Sequence, residues 1–384
     1  MTGKVTINRH GTDRVLNGHP WVFRSDITET EKAEAGEIVE ILSFKRRFLG
    51  YAFYNPLSQI TLRVLTKRRE KVDQEFWRRR FVKAIDRRHS DPNGASRLIF
   101  SESDQLPGLI VDRYRDVIVF QTLSFGMDRL KGFWIDLIEE GLKPSAIVER
   151  NEPAVREKEG LTKERGIVRG GLSSPLMIEE AGRSLFVDPL EGHKTGLYLD
   201  QSENHIAAAR YASGRVLDLF CYQGGFSVPV SKNADEVVAV DSSVPALQMT
   251  RQNLDQNRIQ NVQLVEANAF DTLRSYDERR EKFQTVILDP PPFVATKEVS
   301  GARRGYKEIN LRAMKILSEG GILITCSCSQ NFTPQMFYDM LLEAAHDTHR
   351  ELQLLERRGA ASDHPVLLTF PESNYLQCWV LRVI

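Results

Sequence analysis

The segment Arg215–Val230 constrains the fold more strongly than any other part of this chain. It begins with the mostly apolar run Val216–Phe220, which is typical of a strand buried in a parallel sheet. The run breaks at Gly224-Gly225, and an apolar stretch follows that can begin a helix. A strand, a glycine turn and a helix in this order hold nucleotide-like ligands at the carboxyl ends of α/β sheets. The segment therefore predicts an α/β domain with a ligand site at this turn.

Further apolar runs follow the first one, with helix-like segments between them. They are Val237–Val240, Val262–Val265, Val286–Leu288 and Ile322–Cys326. This alternation predicts a Rossmann-like, doubly wound α/β sheet within residues 191–384. Leu367–Thr369 and Leu376–Val383 are expected to close the sheet as an antiparallel hairpin.

A chain of 384 residues is too long for one ordinary core, so two or three domains are expected. Residues 1–67 contain short strand-like runs separated by Gly and Asn-Pro, which favours a small β-barrel. Residues 68–190 begin with a basic amphipathic helix and continue with strands around a second helix, as in an α+β domain. The fold class is therefore multi-domain α/β.

Composition excludes several classes of protein. The chain is 41% hydrophobic and 27% charged, as in soluble globular proteins, and no stretch approaches the roughly 20 apolar residues of a membrane span. The N-terminus has no apolar signal region. The four cysteines are too few for a disulfide framework and lack the spacing of a zinc site. We expect a cytoplasmic enzyme without a metal and without a membrane partner.

Basic residues are concentrated between Arg63 and Arg88, although the net charge of the chain is zero. Eleven basic residues stand there against four acidic ones. Such a cluster is typical of a surface that binds phosphates, and equally of a solvated helix face.

The glycine turn favours a cationic ligand over a dinucleotide. It lacks the Gly-x-Gly-x-x-Gly pattern that lets backbone amides approach a pyrophosphate. Asp218, just before the turn, would repel phosphate but suits an ammonium and a sulfonium. Asp241, about 20 residues further on, can accept hydrogen bonds from ribose hydroxyls. These features favour S-adenosylmethionine over NAD.

Two further strand ends carry candidate chemistry. Asp289-Pro-Pro-Pro-Phe293 follows one strand and places a carboxylate on a rigid, proline-held loop. Thr325-Cys-Ser-Cys-Ser329 follows the next strand. Cys326 and Cys328 are either inert packing residues or a nucleophile at the mouth of the sheet.

These motifs together resemble the RlmI-like class of 23S ribosomal RNA cytosine-C5 methyltransferases. The resemblance rests on Asp218–Ser227, Asp289–Phe293, Ser327-Cys-Ser329 and Gly192–Gln201 with Asn204, and it extends upstream to Gly18-His-Pro-Trp-Val-Phe23. It covers essentially the whole chain. It implies an N-terminal PUA-like RNA-binding domain (1–67), a central α+β domain (68–190) and a C-terminal class I methyltransferase domain (191–384).

The resemblance also implies the site residues. The cofactor would be S-adenosylmethionine, bound by residues that precede, form or follow the glycine turn: Lys194, Thr195, Tyr198, Gln201, Asn204, Asp218, Phe220, Gly224, Asp241, Ser242, Asn268 and Asp289. The family usually has an acid at position 268, and the amide oxygen of Asn268 can still accept from adenine.

The implied reaction is methylation of a cytosine C5 through a transient bond between a cysteine and C6. Alignment on Ser-Cys-Ser makes Cys328 the nucleophile, with Cys326 as the alternative, because alternation on a strand would point both the same way. Asp289 would bind the N3 and N4 edge of the base. The segment Thr296–Lys307 is expected to be a loop in which Arg303, Arg304 and Lys307 contact RNA phosphates.

The expected partner is 23S ribosomal RNA or a precursor of the large ribosomal subunit, and a homodimer is possible. Two alternative functions remain for a chain with this predicted fold. One is methylation of a guanine nitrogen, which needs no thiol. The other is an RNA-binding ribosome-assembly factor whose methyltransferase domain is catalytically silent.

Overall fold

The computed structural model describes residues 2–88, 91–293, 299–329 and 332–384. The chain forms two compact units. The first contains residues 1–178, 187–199 and 363–373, and the second contains residues 179–186, 200–362 and 374–384. Within the described ranges, no helix is long and apolar enough to cross a membrane. The domain boundaries at 67/68 and 190/191 stay predictions.

The first unit begins with a six-stranded sheet in the order β2-β6-β5-β4-β1-β3. Its elements are β1 (Lys4–Ile7), α1 (Arg9–Leu16), β2 (Trp21–Phe23), β3 (Ile27–Glu31), β4 (Ile38–Leu42), β5 (Phe48–Tyr54) and β6 (Ile60–Thr66). The short strand-like runs expected within residues 1–67 are confirmed by these strands. Helix α1 was not predicted. It begins after Asn8, whose side chain accepts from the backbone N–H of Gly11 at 2.8 Å.

A five-stranded sheet in the order β11-β10-β9-β8-β7 follows in the same unit. Its region contains α2 (Gln74–Ile85), β7 (Ala95–Phe100), β8 (Leu109–Tyr114), β9 (Val117–Thr122), α3 (Phe125–Asp128), α4 (Lys131–Leu142), β10 (Ala146–Asn151), α5 (Val155–Lys158) and β11 (Glu164–Gly170). Phe53 of β5 stacks on Trp77 of α2 with ring centroids 5.6 Å apart, and Trp77 meets Trp134 of α4 edge-on at 5.7 Å. The two sheets therefore share apolar contacts.

Buried ion pairs also join the two sheets of the first unit. The guanidinium of Arg63, on β6, lies 2.6 Å from Glu102 and 3.1 Å from Glu159, and its side chain is only 7% exposed. Trp21 donates its indole N–H to the same Glu102 at 2.7 Å. Arg63, one of the basic residues between Arg63 and Arg88, is therefore part of a buried ion-pair network and lies neither on a phosphate-binding surface nor on a solvated helix face.

The segment 363–373 belongs to the first unit, although it was expected to contribute a strand to the methyltransferase sheet. Phe370 packs edge-on against Trp21 at 4.5 Å, and Glu372 lies 3.3 Å from His19. The expected strand Leu367–Thr369 is wrong. Leu368 is 91% exposed, so this stretch has no apolar side to place in a sheet.

Strands β12 (Leu176–Glu180) and β13 (Arg183–Val187) pair with each other, and residues 179–186 of this hairpin belong to the second unit. The second unit is built on a seven-stranded sheet in the order β16-β15-β14-β17-β18-β20-β19. Its elements are α6 (Ser202–Ala208), β14 (Gly214–Leu219), α7 (Ser227–Val230), β15 (Ala234–Asp241), α8 (Val244–Gln256), β16 (Val262–Glu266), α9 (Ala269–Glu278), β17 (Phe283–Leu288), α10 (Val299–Ile316), β18 (Leu317–Ser327), α11 (Pro334–Asp347), β19 (Leu352–Arg358) and β20 (Gln377–Val383).

All five expected parallel strands are confirmed as β14 to β18. The chain moves outward from β14 to β15 and β16, and then returns to β17 on the other side of β14. This reversal makes the carboxyl ends of β14 and β17 the topological switch point, where α/β sheets bind ligands. The expected strand Leu376–Val383 is observed as β20, which runs antiparallel to both β18 and β19 and does not pair with residues 367–369.

Candidate functional site

The turn after β14 is held in an unusual backbone conformation. Its φ angles are positive at Phe220 (66°), Tyr222 (48°) and Gly224 (82°). Residues other than glycine rarely adopt this region, and such strain clusters at ligand sites. A Cβ at Gly225 would lie 2.5 Å from the ring of His205, so only glycine fits there.

Asp218 lies behind this turn and is fully buried. Its Oδ2 accepts a hydrogen bond from the hydroxyl of Ser227 at 2.6 Å, while its Oδ1 has no hydrogen-bond partner among the described residues. Burial raises the pKa of Asp218 to about 7, and the nearby carboxylate of Asp289 adds to the increase. A positive charge brought near this group would restore its ionisation.

Asp241 ends β15 and helps to fix the same turn. Its Oδ2 accepts the backbone N–H of Tyr222 at 2.9 Å, and its Oδ1 accepts that of Ser243 at 2.8 Å. Each carboxylate oxygen keeps a further lone pair, so Asp241 can still accept from ligand hydroxyls. Ser242 is exposed beside it.

Asn268 is the N-cap of α9. Its Oδ1 accepts the backbone N–H of Phe270 at 2.9 Å and of Asp271 at 3.4 Å. The oxygen expected to accept from adenine is therefore already engaged by the helix, which the sequence analysis did not foresee.

Asp289, after β17, lies at one end of a chain of side-chain hydrogen bonds. Its Oδ1 accepts from Nε2 of Gln201 at 2.8 Å. Oε1 of Gln201 accepts from Nδ2 of Asn204 at 2.6 Å, and Oδ1 of Asn204 accepts from Nε of Arg358 at 2.7 Å. Gln201 and Asn204 are buried, so their amides are held in place.

The two cysteines occupy different environments. Cys326 lies within β18, opposite Cys378 of β20, and is fully buried. Burial raises the pKa of its thiol well above the usual range. Cys328 lies just beyond the end of β18 and is half-buried, with its Sγ 3.8 Å from the carbonyl oxygen of Pro290. The expected alternation fails because the strand ends at Ser327.

Tyr306, on α10, supports the segment around Cys328. Its hydroxyl lies 3.0 Å from the hydroxyl of Ser329, and its ring stacks on Phe332 at 5.2 Å. Phe293 of the proline loop packs edge-on against the same ring at 4.8 Å. Burial raises the pKa of Tyr306 to about 12, so it remains a neutral hydrogen-bonding group.

Lys194, Thr195 and Tyr198 belong to the first unit. The hydroxyl of Thr195 is buried, donates to Asp112 at 2.6 Å and lies 3.0 Å from the hydroxyl of Tyr114. Lys194 lies over the ring of Tyr198 at 4.4 Å. Cofactor binding by these three residues stays a prediction.

The segment expected to be an RNA-binding loop is helical from Val299 onward, as part of α10, and residues 294–298 lie outside the described residues. The loop was therefore wrongly expected for residues 299–307. Arg303 forms an ion pair with Glu343 of α11, and Lys307 lies 2.7 Å from Asp347 of the same helix. Arg304 is exposed.

Two segments of the chain match known protein families. Residues 5–67 match a PUA-like domain, and residues 171–370 match the S-adenosylmethionine-dependent methyltransferase family. The chain is 39% identical to ribosomal RNA large subunit methyltransferase I of Shigella dysenteriae and of Escherichia coli O139:H28, over 100% of each chain. The chain belongs to the ribosomal RNA large subunit methyltransferase I family.

Solved structures agree on the fold. SMU.776, assigned as a methyltransferase and crystallised with SAH, is 21% identical, with a TM-score of 0.87 over 100% of both chains. The predicted fold class, a PUA-like domain with a class I methyltransferase sheet, is confirmed.

As a family member, the protein is an S-adenosylmethionine-dependent methyltransferase. Its switch point fits that cofactor, because the buried Oδ1 of Asp218 lacks a partner in the described structure and Asp241 can accept from hydroxyls. The predicted cofactor, S-adenosylmethionine, is confirmed by the family match, and its binding at the glycine turn stays a prediction.

Sequence reasoning missed several groups around the methyltransferase site. Arg358 and Tyr306 reach it from β19 and α10, and His205 packs under Gly225 from α6. No local motif marks these residues. A Gly-Gly pair after a strand is a signal that some large group approaches the backbone, but it does not identify His205.

Proposed function

We propose that this protein methylates C5 of a cytosine in the ribosomal RNA of the large subunit. The observation that carries the proposal is the half-buried thiol of Cys328, placed at the carboxyl end of β18 beside the proline loop of Asp289. The names of the relatives support ribosomal RNA as the substrate. A methyl transfer to a guanine nitrogen would give this thiol no role.

S-adenosylmethionine supplies the methyl group. A cytosine C5 is a weak nucleophile, and the thiolate of Cys328 overcomes this by forming a bond to C6. The electron pair of the C5–C6 double bond then makes C5 an enamine-like carbon that can be methylated. A base removes the C5 proton, the double bond forms again, and the thiolate leaves.

The environments of the two thiols support Cys328 over Cys326 as the nucleophile. A cysteine must be ionised and reachable to attack a base. Cys326 is fully buried against Cys378, and burial raises the pKa of its thiol well above the usual range. Cys328 is partly exposed at the end of the strand.

Asp289 would hold the base edge opposite the thiol. A carboxylate oxygen can accept a hydrogen bond from the cytosine N4 amino group, while the rigid prolines limit movement of the loop. A base that is paired in the RNA would have to leave its stack to reach this pocket.

Cofactor binding would involve the residues around the glycine turn. Asp218 provides negative charge near the cationic groups, and Asp241 with Ser242 accepts from the ribose. Phe220 and Gly224 shape the turn, and Asn268 lies at the end of the next strand. Lys194, Thr195 and Tyr198 are kept as predicted cofactor residues.

RNA binding would involve the PUA-like domain and the exposed side of α10. Arg304 is an exposed cation of this helix, while the acids of α11 compete with phosphates for Arg303 and Lys307. The partner would be 23S ribosomal RNA or a large-subunit precursor. The homodimer stays a prediction.

In vitro methylation of large-subunit ribosomal RNA, followed by mass spectrometry of nucleosides, tests the proposal. Wild type and Cys326→Ala should produce 5-methylcytosine, and Cys328→Ala should produce none while it still binds S-adenosylmethionine. A methylated guanine as the product, or full activity in Cys328→Ala, would contradict the proposal.

A further inference from the structure

The hydrogen-bond chain that ends at Asp289 begins at an arginine of the last antiparallel strand pair. In the sheet register, Cys326 of β18 pairs with Cys378 of β20, and Cys378 pairs with Arg358 of β19. Arg358 therefore lies two strands from the thiol segment, at the same level of the sheet. Its guanidinium is also held by Glu356 at 2.6 Å.

The donor and acceptor roles in this series of hydrogen bonds follow from the chemistry of arginine. A guanidinium donates hydrogen bonds and cannot accept them, so the Asn204 atom 2.7 Å from Arg358 must be the amide oxygen. The amide nitrogen of Asn204 then faces Oε1 of Gln201 at 2.6 Å and the carbonyl of Gly359 at 3.0 Å.

The same logic fixes the second amide. Because Oε1 of Gln201 accepts from Asn204, its Nε2 must point the other way, and it donates to Asp289 at 2.8 Å. If the amide of Gln201 turned over, its carbonyl oxygen would face the carboxylate of Asp289, and two acceptors would meet. Gln201 and Asn204 are each 2% exposed, so water cannot easily replace the lost bonds.

We propose that Arg358 is a positioning residue that acts through Asn204 and Gln201 to fix the orientation of the Asp289 carboxylate. The arginine sets the orientation of two amides, and the second amide donates to Oδ1 of Asp289 and so holds that carboxylate in one orientation. This gives strand β19 a role in positioning a catalytic group. It also assigns Gln201 and Asn204 to positioning and not to direct cofactor contact. The proposal rests on the proposed function, in which Asp289 binds the target base.

The decisive variant is Asn204→Asp, which preserves shape but replaces the amide nitrogen with oxygen. Asp at 204 still accepts from Arg358 but cannot donate to Gln201, so the amide of Gln201 turns over and Asp289 loses the hydrogen bond from Gln201. We expect kcat for RNA methylation to fall about ten- to a hundredfold, as expected for loss of a hydrogen bond to a charged group. The dissociation constant of SAH, measured by calorimetry, should not change.

Arg358 is tested by a matched pair of variants. Arg358→Lys keeps a donor and should retain most of the activity, while Arg358→Met has no donor and should behave like Asn204→Asp. Asn233→Asp, in which the altered amide donates to the carbonyl of Ala209, introduces the same charge elsewhere in the unit and should leave kcat unchanged.

Three results would overturn the proposal. The first is weaker SAH binding by Asn204→Asp, which would make Asn204 a cofactor ligand. The second is equal loss of activity in Arg358→Lys and Arg358→Met. The third is unchanged kcat in Asn204→Asp. If wild type produces no 5-methylcytosine, the proposed function fails instead, so the two failures are distinguishable.

Discussion

The affinity for S-adenosylmethionine should increase with pH, because Asp218 must ionise to attract the cationic cofactor. Burial raises the pKa of Asp218 to about 7 in the free protein, so the group is mostly neutral in mild acid. Each pH unit below that value lowers the ionised fraction about tenfold. A bound sulfonium and ammonium favour the ionised form, which lowers its pKa in the complex.

The expected change follows from these fractions. About half of the molecules are ionised at pH 7 and about one in a hundred at pH 5, so affinity should rise about fiftyfold over this interval. This corresponds to about 2.3 kcal/mol. The cofactor's own ammonium stays mostly protonated over this interval, because α-amino groups titrate at about 7.8.

Calorimetric titration with S-adenosylmethionine between about pH 5 and 7, at constant ionic strength, measures this dependence. Asp218→Asn is the matched control, since it keeps the shape and cannot ionise, and its affinity should not vary in this way. An equal pH dependence in Asp218→Asn, or a flat profile in wild type, would refute the role of Asp218.

Two further predictions concern stability and RNA binding. Arg63→Met leaves two buried glutamates without their cation, so the free energy of unfolding in a denaturant titration should fall by about 3–5 kcal/mol. Arg46→Met, which removes two salt bridges at the surface, should lower the free energy of unfolding by less than about 1 kcal/mol. An equal loss of stability in the Arg63 and Arg46 variants would contradict this account. Arg304→Ala should weaken binding to ribosomal RNA and reduce the slope of log affinity against log salt by about 1. Glu343→Gln should strengthen binding by releasing Arg303, and unchanged binding in both variants would remove α10 from the RNA-binding surface.

The seven-stranded sheet of the second unit could be predicted from the sequence, because each of its parallel strands is a short apolar run that can be recognised locally. Five apolar runs separated by helical segments leave few alternatives to a parallel sheet, and β14 to β18 all lie where expected. The ends of those strands also carry Asp218, Asp241 and Asp289 to one edge. Short-range patterns were sufficient for this part of the site.

The remaining features depend on contacts between distant parts of the chain. Arg63 looked like one of many surface cations, and only the fold shows that Glu102 and Glu159 surround it. Likewise, the acids that pair with Arg303 and Lys307 come from α11, about 40 residues later. Charge counted along a sequence does not show which cations are already neutralised.

The difference between the two cysteines was also beyond sequence reasoning. Alternation predicts that residues 326 and 328 share a face, but this holds only while the strand continues. Because β18 ends at Ser327, Cys328 leaves the sheet and Cys326 stays against Cys378.

The central claim is that Cys328 forms a bond to C6 of a cytosine. Large-subunit ribosomal RNA containing 5-fluorocytosine tests it directly, because fluorine cannot leave as a proton does and the bond to the enzyme then persists. With S-adenosylmethionine present, mass spectrometry of digested protein should find the RNA adduct on the peptide at Cys328 in wild type and in Cys326→Ala. Cys328→Ala should give no adduct. RNA methylated without any adduct, or an adduct on Cys326, would contradict the account.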